Sequence, residues 1–304
     1  MALHCERRTL RLDSPLDLRL TLGHLRRGLG DPTMRIERAE VWKATRTVDG
    51  PATIHLWTRG GRLEAEAWGP GARSTLDALP QFVGERDGRG TFRPRHPVLR
   101  DLRRKLVGLR IGRTGAVVES IVPAVLEQKV TGLEYRRAWR RLVLAFSEPA
   151  PGPVDLMLPA APARLAAEPY EAWHPLGVER RRAEVIRELA RHARRLEETS
   201  AMPDREARSR LRAFPGVGPW TVAEVALRAF GDADAVSVGD YHVPHLVSWG
   251  LAGERRGSDE RMLELLEPYR GHRGRVIRLL ELGFSPPGRR GPRLAPRVHM
   301  FDGA

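Results

Sequence analysis

The first 90 residues alternate apolar and polar side chains in short runs, and this pattern predicts a small antiparallel sheet with one or two helices. Strict alternation is typical of half-buried strands. The runs that predict strands are residues 9–12, 16–20, 35–47, 52–58 and 62–68. Asp49-Gly50-Pro51 and Gly60-Gly61 separate the later runs and predict hairpin turns. Helical spacing is visible over residues 21–29 and 73–83.

The pattern changes after residues 84–97, a polar, Gly-rich stretch that we interpret as a linker. Strand signals nearly vanish, and about ten short helical segments follow, punctuated by prolines and glycines. The chain therefore predicts a mixed α+β protein. Its expected parts are an N-terminal sheet domain over residues 1–90, an all-α domain over residues 98–284 and a Pro/Gly/Arg-rich tail over residues 285–304.

The net charge of the chain adds a prediction about its binding partner. The chain of 304 residues has a formal net charge of +14 and a pI of about 11.1, which indicates a polyanionic partner such as nucleic acid. Arginine supplies most of this charge, since lysine occurs only at Lys43, Lys105 and Lys129. The single cysteine, Cys5, excludes a disulfide framework or a cysteine-ligated metal centre within the chain. We find neither a signal peptide nor a long apolar run, and we expect a monomer in the cytoplasm with no membrane association and no cofactor.

The strongest local signal is the Gly-rich hairpin between two helical segments within residues 204–230. A helix that starts directly after such a hairpin presents backbone N–H groups without intrahelical partners. These groups and the helix dipole favour a phosphate. We therefore predict that the hairpin binds the DNA backbone through Phe214, Gly216, Val217, Gly218 and Thr221. The carbonyls of Phe214 and Val217 are candidate ligands of a monovalent cation.

The spacing after the hairpin carries a family resemblance. Trp220-Thr221 and an apolar helix follow, then Ala233-Asp234-Ala235 and finally Asp240-Tyr241-His242. This combination resembles the helix-hairpin-helix DNA glycosylase superfamily, whose motif ends in an essential aspartate. The segment over residues 125–131, VLEQKVT, and the N-terminal sheet are similar to the bacterial DNA-3-methyladenine glycosylase II family, whose segment reads Ile-Leu-Gly-Gln-Gln-Val-Ser.

The resemblance implies a role for several residues. Asp240 becomes the catalytic carboxylate, which stabilises an oxocarbenium-like sugar after the base has been flipped out of double-stranded DNA. Trp220 stacks on the flipped base, and we place Glu224 and Tyr241 in the same pocket. Gln128 and Lys129 occupy the wedge position. An alkylated purine that carries a positive charge leaves readily, so no strong general acid is expected.

The resemblance also implies a monofunctional enzyme of base excision repair. Relatives that cut the strand use a lysine at the position of Trp220, and this chain has no lysine after Lys129. Glu224 replaces an aromatic of the family pattern, and Lys129 replaces an apolar wedge. Glu224 either contacts the base or faces solvent. Two alternatives therefore stay open, a non-catalytic DNA-binding protein and a glycosylase for deaminated or oxidised bases. An endonuclease would need a metal-carboxylate cluster that we do not find.

Overall fold

The computed structural model describes residues 5–284 of the chain and begins with a five-stranded antiparallel sheet. The strand order is β1-β5-β4-β3-β2. The strands are β1 (Cys5–Arg11), β2 (Met34–Glu37), β3 (Glu40–Thr47), β4 (Gly50–Arg59) and β5 (Arg62–Trp68). Alternation decides which side chains face the core, so that Ile54 and Leu56 of β4 are fully buried while His55 between them is not. Gly60 and Gly61 both have positive φ, as the tight β4–β5 turn requires.

One predicted strand is wrong. Residues 16–20 contribute to a helix, α1 (Leu18–Leu22), rather than to the sheet. The Asp17 carboxylate accepts the backbone N–H of Leu20 at 2.9 Å and caps this helix. Leucines at positions 16, 18, 20 and 22 satisfy the alternation of a strand, but Leu18 and Leu22 are also one helical turn apart. Both are buried against the sheet together with α2 (Ala72–Asp77) and α3 (Leu79–Phe82).

The remaining helices follow the sheet, as the sequence predicts. In the part of the chain that the structure describes they are α4 (Pro97–Lys105), α5 (Val117–Leu126), α6 (Gly132–Phe146), α7 (Pro162–Ala167), α8 (Tyr170–Trp173), α9 (Arg180–Arg191), α10 (Ala193–Glu197), α11 (Asp204–Arg212), α12 (Pro219–Val225), α13 (Val243–Ala252), α14 (Asp259–Leu266) and α15 (Arg273–Gly283). A π-helical turn, Ala226–Phe230, continues α12. The mixed α+β class is therefore confirmed. The tail over residues 285–304 lies outside the described residues.

These helices form two separate hydrophobic cores. The first core is built around α5, which is buried along its whole length, and includes α6, α9 and α12. The second core joins α4 to α13, α14 and α15. Residues 231–242 connect α12 of the first core to α13 of the second. Asp240 of the motif therefore lies in the segment that joins the two cores, whereas the hairpin belongs to the first core.

The stretch that we interpreted as a linker packs closely against the helices. Phe92 is 2% exposed and belongs to the second core. The Arg275 guanidinium donates to the Asp87 carboxylate at 2.9 Å, and both side chains are almost fully buried. Asp87 also accepts the backbone N–H of Ile111 at 3.0 Å. Residues 84–97 thus hold α15 in place, and the division of the chain into domains stays a prediction.

Candidate active site

The hairpin between α11 and α12 is a closed turn with one open position. The backbone N–H of Val217 donates to the Phe214 carbonyl at 3.1 Å and closes the turn. Gly216 has φ +85°, and a Cβ atom there would lie 2.5 Å from a methyl group of Val185. Gly218 caps α12 in an extended conformation, and a Cβ atom there would meet nothing within 4 Å. Gly216 is therefore required by the fold, whereas Gly218 leaves an open approach to the start of α12.

Gln128 joins the end of α5 to this hairpin. Its Nε2 donates to the Gly216 carbonyl at 3.0 Å and to Thr221 Oγ1 at 2.9 Å. The Thr221 side chain is 2% exposed, so its hydroxyl contacts Gln128 inside the protein. Gln128 orders the hairpin, and a role for it as a wedge would require these two hydrogen bonds to break.

Lys129, the second predicted wedge residue, is exposed and lies in the turn between α5 and α6. Its φ of +55° places it in the left-handed region, which is uncommon for a residue other than glycine. Backbone strain of this kind is concentrated at functional sites. The turn thus presents a cationic side chain next to the residue that contacts the hairpin.

Trp220 and Asp240 are in direct contact. The indole Nε1 of Trp220 donates to Asp240 Oδ2 at 2.9 Å, which links the two helical cores. The other carboxylate oxygen accepts the backbone N–H groups of His242 at 2.6 Å and Val243 at 2.9 Å. Asp240 therefore lies at the N-terminus of α13, where the helix dipole favours a negative charge. Uncharged donors fix the orientation of the carboxylate and leave its charge unpaired among the described residues.

Glu224 does not face solvent, so that alternative is wrong. Its side chain is 13% exposed and forms an ion pair with Arg228, one helical turn further on. Ser237 Oγ donates to Glu224 Oε1 at 2.6 Å. Burial opposes ionisation of this carboxyl, but Arg228 and the Ser237 hydrogen bond more than offset it and lower the pKa of Glu224. We call Glu224, Arg228 and Ser237 the ion-pair cluster, in which Arg228 neutralises the charge of Glu224.

Tyr241 lies further out than the other predicted pocket residues. Its side chain is 72% exposed, and its ring packs edge-on against the rings of His242 and His245. The structure therefore brings together Trp220, Asp240 and the hairpin, and it leaves Tyr241 on the rim.

Sequence reasoning missed Glu127, which is half-buried at the end of α5, directly before Gln128. Its carboxyl group has no hydrogen-bond partner among residues 5–284. It lies within electrostatic reach of Glu224, Arg228 and Asp240. The signal was present in the sequence, because Glu127 is an acid at the position where the family segment has a glycine.

Comparisons with known proteins find similar sequences and similar folds. No protein-family model matches the chain. A protein of Mycobacterium tuberculosis (strain CDC 1551 / Oshkosh), described as a probable bifunctional transcriptional activator/DNA repair enzyme AlkA, is 32% identical over 170 residues, which cover 54% of this chain and 32% of that protein. DNA-3-methyladenine glycosylase 2 of Escherichia coli (strain K12) is 29% identical over 202 residues, 65% of each chain. The chain thus spans about a third of the first relative and just under two thirds of the second.

Solved structures share the fold over nearly the whole chain. The 3-methyladenine DNA-glycosylase of Archaeoglobus fulgidus superposes with a TM-score of 0.76 at 19% identity and covers 90% of this chain and 97% of its own. The chain is thus similar in sequence to proteins named as a DNA repair enzyme and as a DNA glycosylase, and it has the fold of solved DNA glycosylases. An 8-oxoguanine glycosylase/lyase of Clostridium acetobutylicum has the same fold, with a TM-score of 0.68 at 13% identity and a coverage of 92% of this chain and 99% of its own. The glycosylase fold is thus shared by proteins named for different bases.

Residues 5–284 were also searched for membrane-spanning helices and for groups of metal-binding side chains. None of their helices has the length and apolar character that a membrane crossing requires. Within the same range, His, Cys, Asp and Glu side chains nowhere form a group of three that would bind a metal ion. The monovalent cation predicted at the hairpin would instead use backbone carbonyls, and the Phe214 carbonyl already accepts the Val217 N–H. That site stays a prediction.

Proposed function

We propose that this protein is a DNA glycosylase of base excision repair, which hydrolyses the N-glycosidic bond of alkylated, 3-methyladenine-like bases in double-stranded DNA. One observation supports this most strongly. Asp240 is held by Trp220 and by two backbone N–H groups of α13, and it carries a charge that no cation neutralises in the described part of the chain. A fixed carboxylate of this kind stabilises an oxocarbenium-like sugar and orients the attacking water.

In the proposed reaction, the first-turn N–H groups of α12 bind a phosphate beside the open face of Gly218. The damaged nucleotide leaves the base stack, because a base inside the duplex is out of reach of the site. Lys129, exposed on its turn, fills or flanks the gap. Trp220 stacks on the flipped base and favours an electron-poor or cationic ring. The C1′–N bond then breaks with its electron pair leaving on the base, and water adds to C1′ on the side of Asp240, which accepts the proton that the water loses.

Base release from methylated DNA tests this proposal. The wild-type protein should release 3-methyladenine and 7-methylguanine from a methylated duplex, and Asp240→Asn should release neither while it still binds the duplex. Release of a base also excludes the alternative of a non-catalytic DNA-binding protein. If the wild-type protein binds the duplex and releases none of the bases, that alternative is correct.

We further propose that the enzyme does not cut the strand. Strand cleavage in this superfamily uses a lysine at the position of Trp220. Two of the three lysines are in ion pairs, Lys43 with Glu119 at 2.9 Å and Lys105 with Asp101 at 2.8 Å. Lys129 is the remaining lysine. Borohydride reduction during turnover should trap no protein–DNA adduct. An adduct that disappears in Lys129→Ala would show instead that Lys129 is a nucleophile.

Activity in the cytoplasm, action as a monomer and independence of a cofactor or an obligate protein partner are part of the same proposal. The composition of the chain supports these expectations, and an assay with the purified chain tests the last three together. Full activity at a protein concentration at which the chain sediments as a monomer is the expected result.

A further inference from the structure

The loop between α1 and β2 presents a leucine to solvent. Leu29 is 89% exposed, and it lies between two glycines, Gly28 and Gly30. A side chain in this position adds almost nothing to the hydrophobic core of the sheet domain. Single apolar side chains on a protein surface are common. The surroundings of Leu29 therefore decide whether it has a function.

Hydrogen bonds hold the Leu29 loop in one conformation. The Asp31 carboxylate is buried, and it accepts the backbone N–H of Arg27 at 2.6 Å, which closes the loop. The same carboxylate accepts the indole N–H of Trp139 on α6 at 2.9 Å. The Arg26 guanidinium donates to the Leu29 carbonyl at 2.7 Å. Because the loop is already ordered, its tip loses little conformational freedom when it binds a partner.

The same loop packs against the first turns of α6, the helix that begins three residues after Lys129. Gly28 has a φ of +89°, and a Cβ atom there would collide with the side chain of Arg136. The Gly30 carbonyl accepts a hydrogen bond from Arg140, one turn further along α6, at 3.2 Å. These contacts place the exposed leucine beside the start of α6, next to the turn that carries the predicted wedge.

The turn before α6 also contacts the hairpin, because Gln128 donates to the Gly216 carbonyl at 3.0 Å. A continuous series of contacts thus joins the hairpin, the α5–α6 turn, α6 and the Leu29 loop. The side chains that touch this loop from α6 are cationic and exposed, namely Arg136 and Arg140. An apolar side chain bordered by arginines is the combination with which proteins insert a wedge between bases and bind the neighbouring phosphates.

We propose that Leu29 inserts into the base stack of double-stranded DNA beside the flipped nucleotide, while Arg136 and Arg140 bind the adjacent phosphates. This inference rests on the proposed function and deepens it, since it names a residue of the sheet domain that opens the duplex. The ammonium group of Lys129 is strongly hydrated, so a lysine fills an apolar space between bases less well than a leucine does. Burial of the exposed leucine between bases offsets part of the cost of unstacking them.

A duplex that carries a tetrahydrofuran abasic-site analogue next to 2-aminopurine tests the proposal, because 2-aminopurine becomes more fluorescent when it is unstacked. Val48→Ala is the matched control, since Val48 is 97% exposed in the turn between β3 and β4. At saturating protein, the wild type and Val48→Ala should raise the fluorescence equally, and Leu29→Ala should give less than about half of that rise. Leu29→Met keeps a large apolar side chain and should behave like the wild type.

Affinity separates an inserted residue from a structural one. Leu29→Ala should bind the abasic duplex about tenfold more weakly than the wild type and an intact duplex within about twofold of it. Leucine is uncharged, so Leu29→Ala should keep the salt dependence of binding, whereas Arg136→Ala should reduce its slope by about 1. Full fluorescence with Leu29→Ala would overturn the proposal, as would an equal loss of affinity for both duplexes or a lower melting temperature of this variant.

The two proposals fail in different ways, because the fluorescence assay requires binding but no hydrolysis. A wild-type protein that releases 7-methylguanine but leaves 2-aminopurine stacked would contradict the role of Leu29 and leave the glycosylase function intact. A wild-type protein that releases no base, yet unstacks 2-aminopurine in a manner that depends on Leu29, would contradict the glycosylase function and support the insertion.

Discussion

Asp240 and Glu224 are two carboxylates held one helical turn apart along α12, Asp240 through its contact with Trp220 and Glu224 as part of the helix itself, and the fold treats their charges differently. Glu224 accepts hydrogen bonds from Arg228 and Ser237, so its negative charge is already neutralised. Asp240 accepts an indole N–H and two backbone N–H groups, all uncharged. A carboxylate held by neutral donors keeps its charge for a cation that develops during a reaction. Glu224 is thus held as part of the fold, whereas Asp240 is the carboxylate that we propose takes part in the reaction.

Removal of the structural charge should have the largest effect on the fold. Glu224→Gln leaves Arg228 buried without its partner, and we expect the free energy of unfolding to fall by about 3–5 kcal/mol. Denaturant unfolding measures this loss. The lowered pKa of Glu224 means that its contribution is present above the unfolded-state pKa and is lost as the pH falls through the folded-state pKa. The effect of the substitution should therefore shrink in acid.

A double variant is the control for that prediction. Replacement of both partners, Glu224→Gln with Arg228→Met, removes the unpaired charge and should recover much of the lost stability. If Glu224→Gln alone unfolds at the wild-type denaturant concentration, Glu224 and Arg228 do not form the buried pair described above.

Loss of one neutral donor at Asp240 should have the next largest effect, and on catalysis rather than on stability. Trp220→Phe keeps an aromatic ring for stacking but removes the N–H that orients Asp240 Oδ2. Trp220 and Asp240 are both half-buried, so water replaces the lost donor and the cost falls on the orientation of the carboxylate rather than on folding. We expect base release to slow by at least about tenfold, with little change in the thermal melting temperature. A variant with the wild-type rate would mean that the two backbone N–H groups suffice to hold Asp240.

Substitutions at Gly218, the open position of the hairpin, should have a smaller effect, and that effect should be on DNA affinity. Gly218→Ala should be neutral, because a Cβ atom there meets nothing within 4 Å. Gly218→Asp adds a negative charge near the proposed phosphate site and should weaken duplex binding by about 1 kcal/mol, roughly fivefold. Fluorescence anisotropy at fixed low salt measures both variants. Equal affinity of the Ala and Asp variants would place the phosphate elsewhere.

The smallest expected effect is that of Glu127→Gln on the thermal melting temperature, because burial makes a charge at Glu127 unfavourable in the folded protein. A raised pKa means that the contribution of Glu127 to stability is present below the unfolded-state pKa and is lost as the pH rises through the folded-state pKa. Glu127→Gln should therefore melt slightly higher than wild type near pH 8, by about 2 °C, or under about 1 kcal/mol for a chain of this size. The two proteins should melt together near pH 4. A lower melting temperature of the variant at pH 8 would contradict the proposed burial of this acid.

The sequence was most informative where local chemistry decides the structure. Glycines and a proline predicted the hairpin and the start of the helix after it. The number of residues between the hairpin and Asp240 predicted which acid belongs to the motif. The helix at residues 18–22 was missed because its leucines satisfy two periods at once and the Asp17 cap decides between them. The partners of Glu224 depend on the π-helical turn and on Ser237, which no local pattern predicts. Glu127 was visible as a departure from a motif, but its surroundings come from three separate segments.

The most direct measurement of the central claim is single-turnover base release by Asp240→Asn at saturating duplex that contains 7-methylguanine. The substitution removes the charge and keeps the shape, so duplex affinity should stay within about threefold of wild type while base release slows on the order of 10³-fold. Glu224→Gln, assayed below its melting temperature, should retain release within about tenfold of wild type. Release by Asp240→Asn at a rate near that of wild type would contradict the assignment of Asp240 as the carboxylate that carries the reaction.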